Sequence, residues 1–158
     1  KGLGTWNVGN VADMSYMFYS ATNFNQDLSY NLETGAWNVG NVTNMKNMFY
    51  NASEFEGKGL GTWNVGNVAD MSYMFNGAIE FVGDGLDAWI VIQVTDMSSM
   101  FQGATIFNQD IQKWNVDSDT LFDYMFENAT EMIDNHINDE YFDANTGTPS
   151  YLWFTGTT

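Results

Sequence analysis

Oxygen donors are the residues best suited to chemistry in this chain. Asp27, beside Asn25 and Gln26, and Asp110, beside Asn108 and Gln109, carry the carboxylate and amide oxygens that Ca²⁺ prefers. They are weak Ca²⁺ candidates, because neither an EF-hand nor a nonapeptide calcium-loop spacing surrounds them. Asn7, Asn38, Asn64 and Asn115 each follow a tryptophan and would sit on one face of a short strand, where a row of amides could bind a ligand or satisfy one another. Asn41, Asn51 and Asn128 open N-x-[ST] sequons that would accept glycans in a eukaryotic secretory pathway.

Catalytic chemistry has little to work with. Cysteine and arginine are absent, and the single histidine, His136, is read as a solvated residue of the C-terminal segment. No Ser-His-Asp ordering or other nucleophile-and-base constellation occurs, and each carboxylate has a plain role as turn former, helix N-cap or solvating charge. The expectation is a non-enzymatic protein with no obligatory cofactor.

The elements that position these residues are repeated. Residues 1–18 recur unchanged at residues 58–75, and the pattern W-x-V-x-x-V-x-x-M-x-x-M-F-x-x-A-x-x-F starts at Trp6, Trp37, Trp63, Trp89 and, weakened, Trp114. Successive tryptophans lie 31, 26, 26 and 25 residues apart, the first interval holding an insertion around Tyr30 to Thr34. Trp6-Asn7-Val8 alternates as a strand does. Val11, Met14, Met17, Phe18 and Ala21 have the spacing of one helical face, with Asp13, Asn44, Asp70 and Asp96 as N-caps, so each unit reads strand, turn, short helix, loop. The methionine stripe is read as core.

Stacked, such units predict an α/β repeat solenoid, with one short parallel strand and one short helix or 3-10 turn per coil. Five coils would span residues 1–132, and residues 133–158, which hold the only proline, would form a C-terminal cap. Because the chain opens at a repeat boundary with no segment comparable to the C-terminal cap, further repeats upstream of Lys1 are expected.

Charge limits the partners. Twenty acidic side chains against four lysines give a net charge of −16, a field that disfavours nucleic acid and anionic lipid. No apolar stretch is long enough to insert into a membrane, and 16% aromatic residues supply ample core material.

Val94-Thr95-Asp96-Met97-Ser98-Ser99-Met100-Phe101, with the endings Phe24-Asn25-Gln26-Asp27-Leu28 and Phe107-Asn108-Gln109-Asp110-Ile111, resembles the unit of the BspA-like leucine-rich-repeat surface proteins. The resemblance spans roughly residues 4–132. It implies a leucine-rich-repeat-like fold on a secreted, cell-surface or virion-surface protein that binds protein or glycan partners in adhesion. A structural component of a surface filament, sheath or virion, working through self-association, is the alternative. The family carries no shared catalytic motif.

Overall fold

The computed structural model describes residues 2–155; Lys1 and residues 156–158, the end of the expected cap, lie outside the described residues. The repeated segment that follows each aspartate or asparagine sets the architecture. Met14, Tyr16, Phe18 and Ser20 donate their backbone N–H groups to Asn44, Lys46, Met48 and Tyr50 of the next copy, at 2.9, 3.0, 2.8 and 2.6 Å. The intervening Met17, Tyr19 and Ala21 donate to Met14, Tyr16 and Phe18, three residues back, at 3.3, 3.1 and 3.1 Å. Alternate amides therefore link copies and close tight turns.

Single parallel bridges tie Asp13 to Asn44, Asn44 to Asp70, Asp70 to Asp96 and Asp96 to Leu121. The same alternating pattern continues from Met45, Met71 and Met97, for example Tyr73 to Ser98 at 3.0 Å and Phe101 to Met125 at 2.9 Å. Side chains follow this register. Phe18, Phe49, Phe75, Phe101 and Phe126 stack with ring centroids 5.3, 5.6, 5.6 and 5.7 Å apart. A second row, Phe24, Phe55, Phe81 and Phe107, packs beside it, and Phe75 lies 3.9 Å from Phe81. Met45, Met48, Met71, Met74, Met97 and Met100 are wholly buried between the copies.

Tryptophans make a third row. Trp37, Trp63, Trp89 and Trp114 donate their indole N–H groups to the carbonyls of Leu3, Leu28, Leu60 and Leu86, at 2.8–3.1 Å, each in the copy before. A buried indole needs such an acceptor, so the row fixes register as well as filling volume.

The expected α/β repeat solenoid of five strand-and-helix coils with a C-terminal cap is corrected by these elements. Among the described residues the α-helix is α1, Thr130–His136, and the paired strands are β1, Phe142–Asp143, and β2, Thr148–Pro149, antiparallel with Phe142 opposite Pro149. Short 3-10 helices occur at Leu3–Thr5, Leu60–Thr62, Leu86–Ala88 and Tyr151–Thr155. No helix follows Asp13, Asn44, Asp70 or Asp96, because each copy contains two left-handed residues four positions apart. They are Tyr16 and Ser20, Asn47 and Asn51, Tyr73 and Gly77, Ser99 and Gly103, and Tyr124 and Asn128, with φ between 54 and 72°.

Nor does Trp-Asn-Val become a parallel strand. The Asn7, Asn38 and Asn64 side chains accept from the backbone of Gly9, Gly40 and Gly66 two residues on, at 3.1–3.2 Å, which curls the segment into a turn. The one bridge there, Asn7 with Ala36, is antiparallel.

The C-terminal residues close over the last phenylalanine. Phe126 donates its N–H to Gly147 O at 2.8 Å, and Tyr124 donates to Thr148 Oγ1 at 2.9 Å. Phe142 and Trp153 pack on the Phe126 ring at 6.0 and 5.8 Å. His136 is not solvated as expected. It is half-buried, its Nδ1 lies 2.6 Å from Asp139 Oδ2, and its ring meets Trp153 edge-on at 5.1 Å. Asp139 Oδ2 also accepts from Gln112 Nε2 and Trp153 Nε1, each at 3.3 Å, and so gathers this segment around one carboxylate.

Candidate ligand-binding surface

The four asparagines after the tryptophans are exposed. Asn7, Asn38 and Asn64 form one row, with Asn41 Nδ2 and Asn67 Nδ2 donating to Gly9 O and Gly40 O of the preceding copies at 2.7 Å. Their carbonyl oxygens are already engaged by the turn glycines, so the outward capacity that remains is chiefly the amide N–H. Asn115 is separated from this row by Ile90, which is 65% exposed in the intervening copy. It lines a shallow cavity of about 190 Å³ with Lys113, Trp114, Val116, Tyr151 and Phe154. Of the sequon asparagines, all three are exposed; Asn41 is tied to Gly9, and Asn51 and Asn128 occupy left-handed turn positions.

Asp27 lies in a groove of about 270 Å³ with Glu56, Lys58 and Asp84, floored by Gly57, Gly59 and Val82. The position three residues after the second-row phenylalanine is Asp27, Lys58, Asp84 and Asp110 in successive copies, so a lysine is set between carboxylates. Lys58 Nζ is 2.8 Å from Glu56 Oε2, and Asn25 Nδ2 donates to Glu56 Oε1 at 2.9 Å. The Ser29 hydroxyl and N–H donate to Asp27 Oδ1 at 2.6 and 2.8 Å. Asp110 stands apart from this groove, 3.6 Å from Lys113 on open surface. No group of three or more His, Asp or Glu side chains that could hold a metal ion occurs among the described residues. What the groove does chemically is balance acidic charge with Lys58 and local donors.

Those donors shift titration. The Ser15 and Ser29 hydroxyls and N–H groups hold Asp13 and Asp27 below the ordinary aspartate value, the Asn145 N–H and Thr146 hydroxyl do so for Asp143, and Lys58 then Asn25 lower Glu56. A lowered folded-state pKa adds stability above the unfolded value and loses it as pH falls through the folded one. Meanwhile the net charge of −16 repels itself at pH 7. The expected result is a melting temperature that rises with salt between about 10 mM and 0.2 M at neutral pH. On acidification, stability should be lost only below the ordinary aspartate value of 3.8, once these locally bonded carboxylates protonate. Differential scanning at several salt and pH values checks both signs; a melting temperature that falls with salt would show that attraction dominates.

A tyrosine face was not foreseen from the sequence. The second residue after the first ladder methionine is left-handed in every copy, and it is Tyr16, Asn47, Tyr73, Ser99 and Tyr124 in turn (Tyr124 follows Phe122, which replaces that methionine); Asn47 and Ser99 are buried there and the tyrosines are not. Tyr16, Tyr73 and Tyr124 are 53, 37 and 50% exposed. Tyr19 stacks on Tyr50 at 4.8 Å with planes 5° apart and meets Tyr16 at 5.6 Å, while Lys46 Nζ sits 6.0 Å from the Tyr73 ring. Farther along, Asn76 bonds to Gln102 and Gln102 to Glu127. The tyrosines in M-S-Y-M-F at Met14 and Met71 were the available signal, since a bulky aromatic at a non-core template position has no packing reason to be there.

The sequence profile of the family described as "Mycoplasma protein of unknown function, DUF285" matches residues 1–59 and again residues 29–141, and the chain belongs to that family. No curated protein and no solved structure matches the chain.

Proposed function

We propose that this chain is a non-enzymatic interaction module that binds a protein or glycan partner at a cell or particle surface. The observation that carries the reading is the tyrosine face: exposed amphipathic rings on a backbone held by hydrogen bonds between copies. Tyrosine gives large contact area with little entropy to lose, and a prepaid backbone lowers the cost of binding further. The resemblance to BspA-like leucine-rich-repeat surface proteins supports an adhesive role and an extracellular, cell-surface or virion-surface location. The charge of −16 supports partners other than nucleic acid. No helix among the described residues is long and apolar enough to cross a membrane.

The test uses Tyr16→Asn, Tyr73→Asn and Tyr124→Asn together, because Asn47 already occupies this left-handed position in the second copy. A panel of glycans and surface or matrix proteins should yield a binder whose affinity falls on the order of tenfold or more in the triple variant, with the melting temperature unchanged. A binder indifferent to all three substitutions, or none at all, overturns the tyrosine-face reading.

A further inference from the structure

The tyrosine face has a period of two copies. Tyr16, Tyr73 and Tyr124 are exposed, while Asn47 and Ser99, at the same position of the copies between them, are buried. Backbone register holds the five in one row: the N–H groups of Tyr16, Asn47, Tyr73 and Ser99 donate to Lys46, Ser72, Ser98 and Asp123, in each case the residue just before the next member. Rings therefore stand out at alternate steps of the ladder, with a notch between each pair. The pattern holds inside the ladder, where Tyr73 has a copy on either side and Tyr124 is bonded onward to Thr148.

The length of a step is set by the same register. Core phenylalanines of successive copies lie 5.3–5.7 Å apart, and hydrogen-bonded backbones are spaced by about 4.8 Å, so the tyrosines recur roughly every 10 Å. A polar row runs beside them. Asn76, Gln102 and Glu127 each close a turn by donating their N–H to Tyr73, Ser99 and Tyr124, and their side chains are joined by hydrogen bonds. The two rows adjoin, as the 5.6 Å contact between Tyr16 and Tyr19 at the same two positions shows. Lys46 Nζ, 6.0 Å from the Tyr73 ring, adds a donor.

The face thus offers aromatic surface at every second step and hydrogen-bonding groups at every step. A peptide strand repeats its side-chain face about every 6.8 Å and falls out of step with these rings. A polyproline helix turns about every 9.3 Å, but its prolines carry no N–H for the Glu127 carboxylate. An extended chain of β-1,4-linked pyranoses matches both rows. One sugar is close to one ladder step in length, every second sugar turns the same C–H face to the protein, and hydroxyls line the edge at each sugar. The charge of −16 repels uronate, sulfate and sialate groups, which leaves a neutral chain.

We propose that the row of Tyr16, Tyr73 and Tyr124 is a site for a neutral, extended β-1,4-linked glycan, with alternate sugars stacked on the tyrosines and hydroxyls bonded to Gln102 and Glu127. The inference rests on the tyrosine-face reading and names its ligand class.

Calorimetric titration with β-1,4 oligomers of glucose and of N-acetylglucosamine, two to six sugars long, is the test. Three sugars span Tyr73 and Tyr124, and five reach Tyr16 as well. Affinity should rise on the order of tenfold from two sugars to three and again from four to five. Oligomers of α-1,4-linked glucose, which coil, should bind at least about tenfold more weakly. Tyr16→Asn should abolish the second rise and leave the first, whereas Tyr73→Asn should abolish the first and leave the second, a split that a misfolded variant would not give. Failure of both β-1,4 series to bind, or an affinity that climbs evenly with length, overturns the glycan assignment. If a protein or proline-rich peptide then binds and is weakened by the triple variant, the tyrosine face stands and only the glycan falls. A β-1,4 oligomer bound equally by the native chain and the triple variant overturns both.

Discussion

Replacing Phe75 by alanine should cost about 3–5 kcal/mol, the largest single-residue loss expected in the core. Phe75 is fully buried at the middle of its row, with Phe49 and Phe101 each 5.6 Å away and Phe81 at 3.9 Å. Truncation removes three ring contacts at once and leaves a cavity. The neighbours cannot collapse into it, because their own backbones are pinned by the bonds from Phe49 to Met74 and from Phe75 to Met100, at 2.9 and 2.8 Å. Domains of this size are stable by only about 5–15 kcal/mol, so the change should lower the melting temperature on the order of 10 °C. Phe18→Ala is the comparison. It stacks on Phe49 at 5.3 Å and on Phe24 at 4.2 Å but is partly exposed at the row's end, and it should cost roughly half as much. Urea midpoints with unchanged slope measure both. Equal losses at Phe75 and Phe18 would mean that the row is not a continuous packed core.

The contrast shows which level of the structure the sequence encodes openly. Volume recurs in the sequence: Met45, Met71 and Met97, Phe49, Phe75 and Phe101, and Ala52, Ala78 and Ala104 are all fully buried at their repeat positions. Backbone conformation does not recur so plainly. A run of turns closed by three-residue hydrogen bonds brings side chains to one side every three or four residues, and so does an α-helix. The apolar spacing of Val11, Met14, Met17, Phe18 and Ala21 fits both. The deciding residues are left-handed. At the second such position Asn51, Gly77, Gly103 and Asn128 stand directly before the repeat alanine, residues that tolerate positive φ and were a readable sign of turns. At the first, Tyr16, Tyr73 and Tyr124 gave no warning, because an aromatic side chain in that region is uncommon.

The aspartates show how one local bond can serve two elements. The N–H groups of Ser15, Lys46, Ser72 and Ser98 donate to Asp13, Asn44, Asp70 and Asp96 Oδ1 at 2.8–3.0 Å, much as the first turn of a helix would donate to an N-cap. The helix then fails at the next residue, where φ turns positive. The Asn side chains after the tryptophans mislead in the same way, since alternation suggests a strand while the bond to Gly9, Gly40 or Gly66 makes a turn. Asp27 and Asp110 stand at equivalent positions of two copies, but equivalence along a repeat does not bring two side chains together: Lys58 and Asp84 occupy the copies between them.

Gly59→Ala and Gly35→Ala should separate backbone strain from backbone collision, with the larger loss at Gly59. Both glycines are left-handed, at φ 91 and 69°, so alanine at either carries the conformational penalty of roughly 1–2 kcal/mol. At Gly35 a Cβ would meet nothing within 4 Å, and the penalty should end there. At Gly59 the same atom would overlap the Ser29 backbone nitrogen and come within 2.7 Å of Leu28 C and Asp27 Oδ1. The backbone of the first copy would have to move, although Leu28 N–H is bonded to Lys58 O at 3.0 Å and Tyr30 N–H to Thr62 Oγ1 at 2.7 Å. Losing those bonds as well should bring the total for Gly59→Ala to about 3 kcal/mol or more. The damage should also reach the groove, because displacing Ser29 removes the donors that hold the Asp27 carboxylate low. The Asp27 pKa, followed by NMR titration, should therefore rise toward the ordinary value in Gly59→Ala and stay put in Gly35→Ala. Equal stability losses with an unmoved Asp27 would show that the copies do not approach as closely here as the Gly59 contact requires.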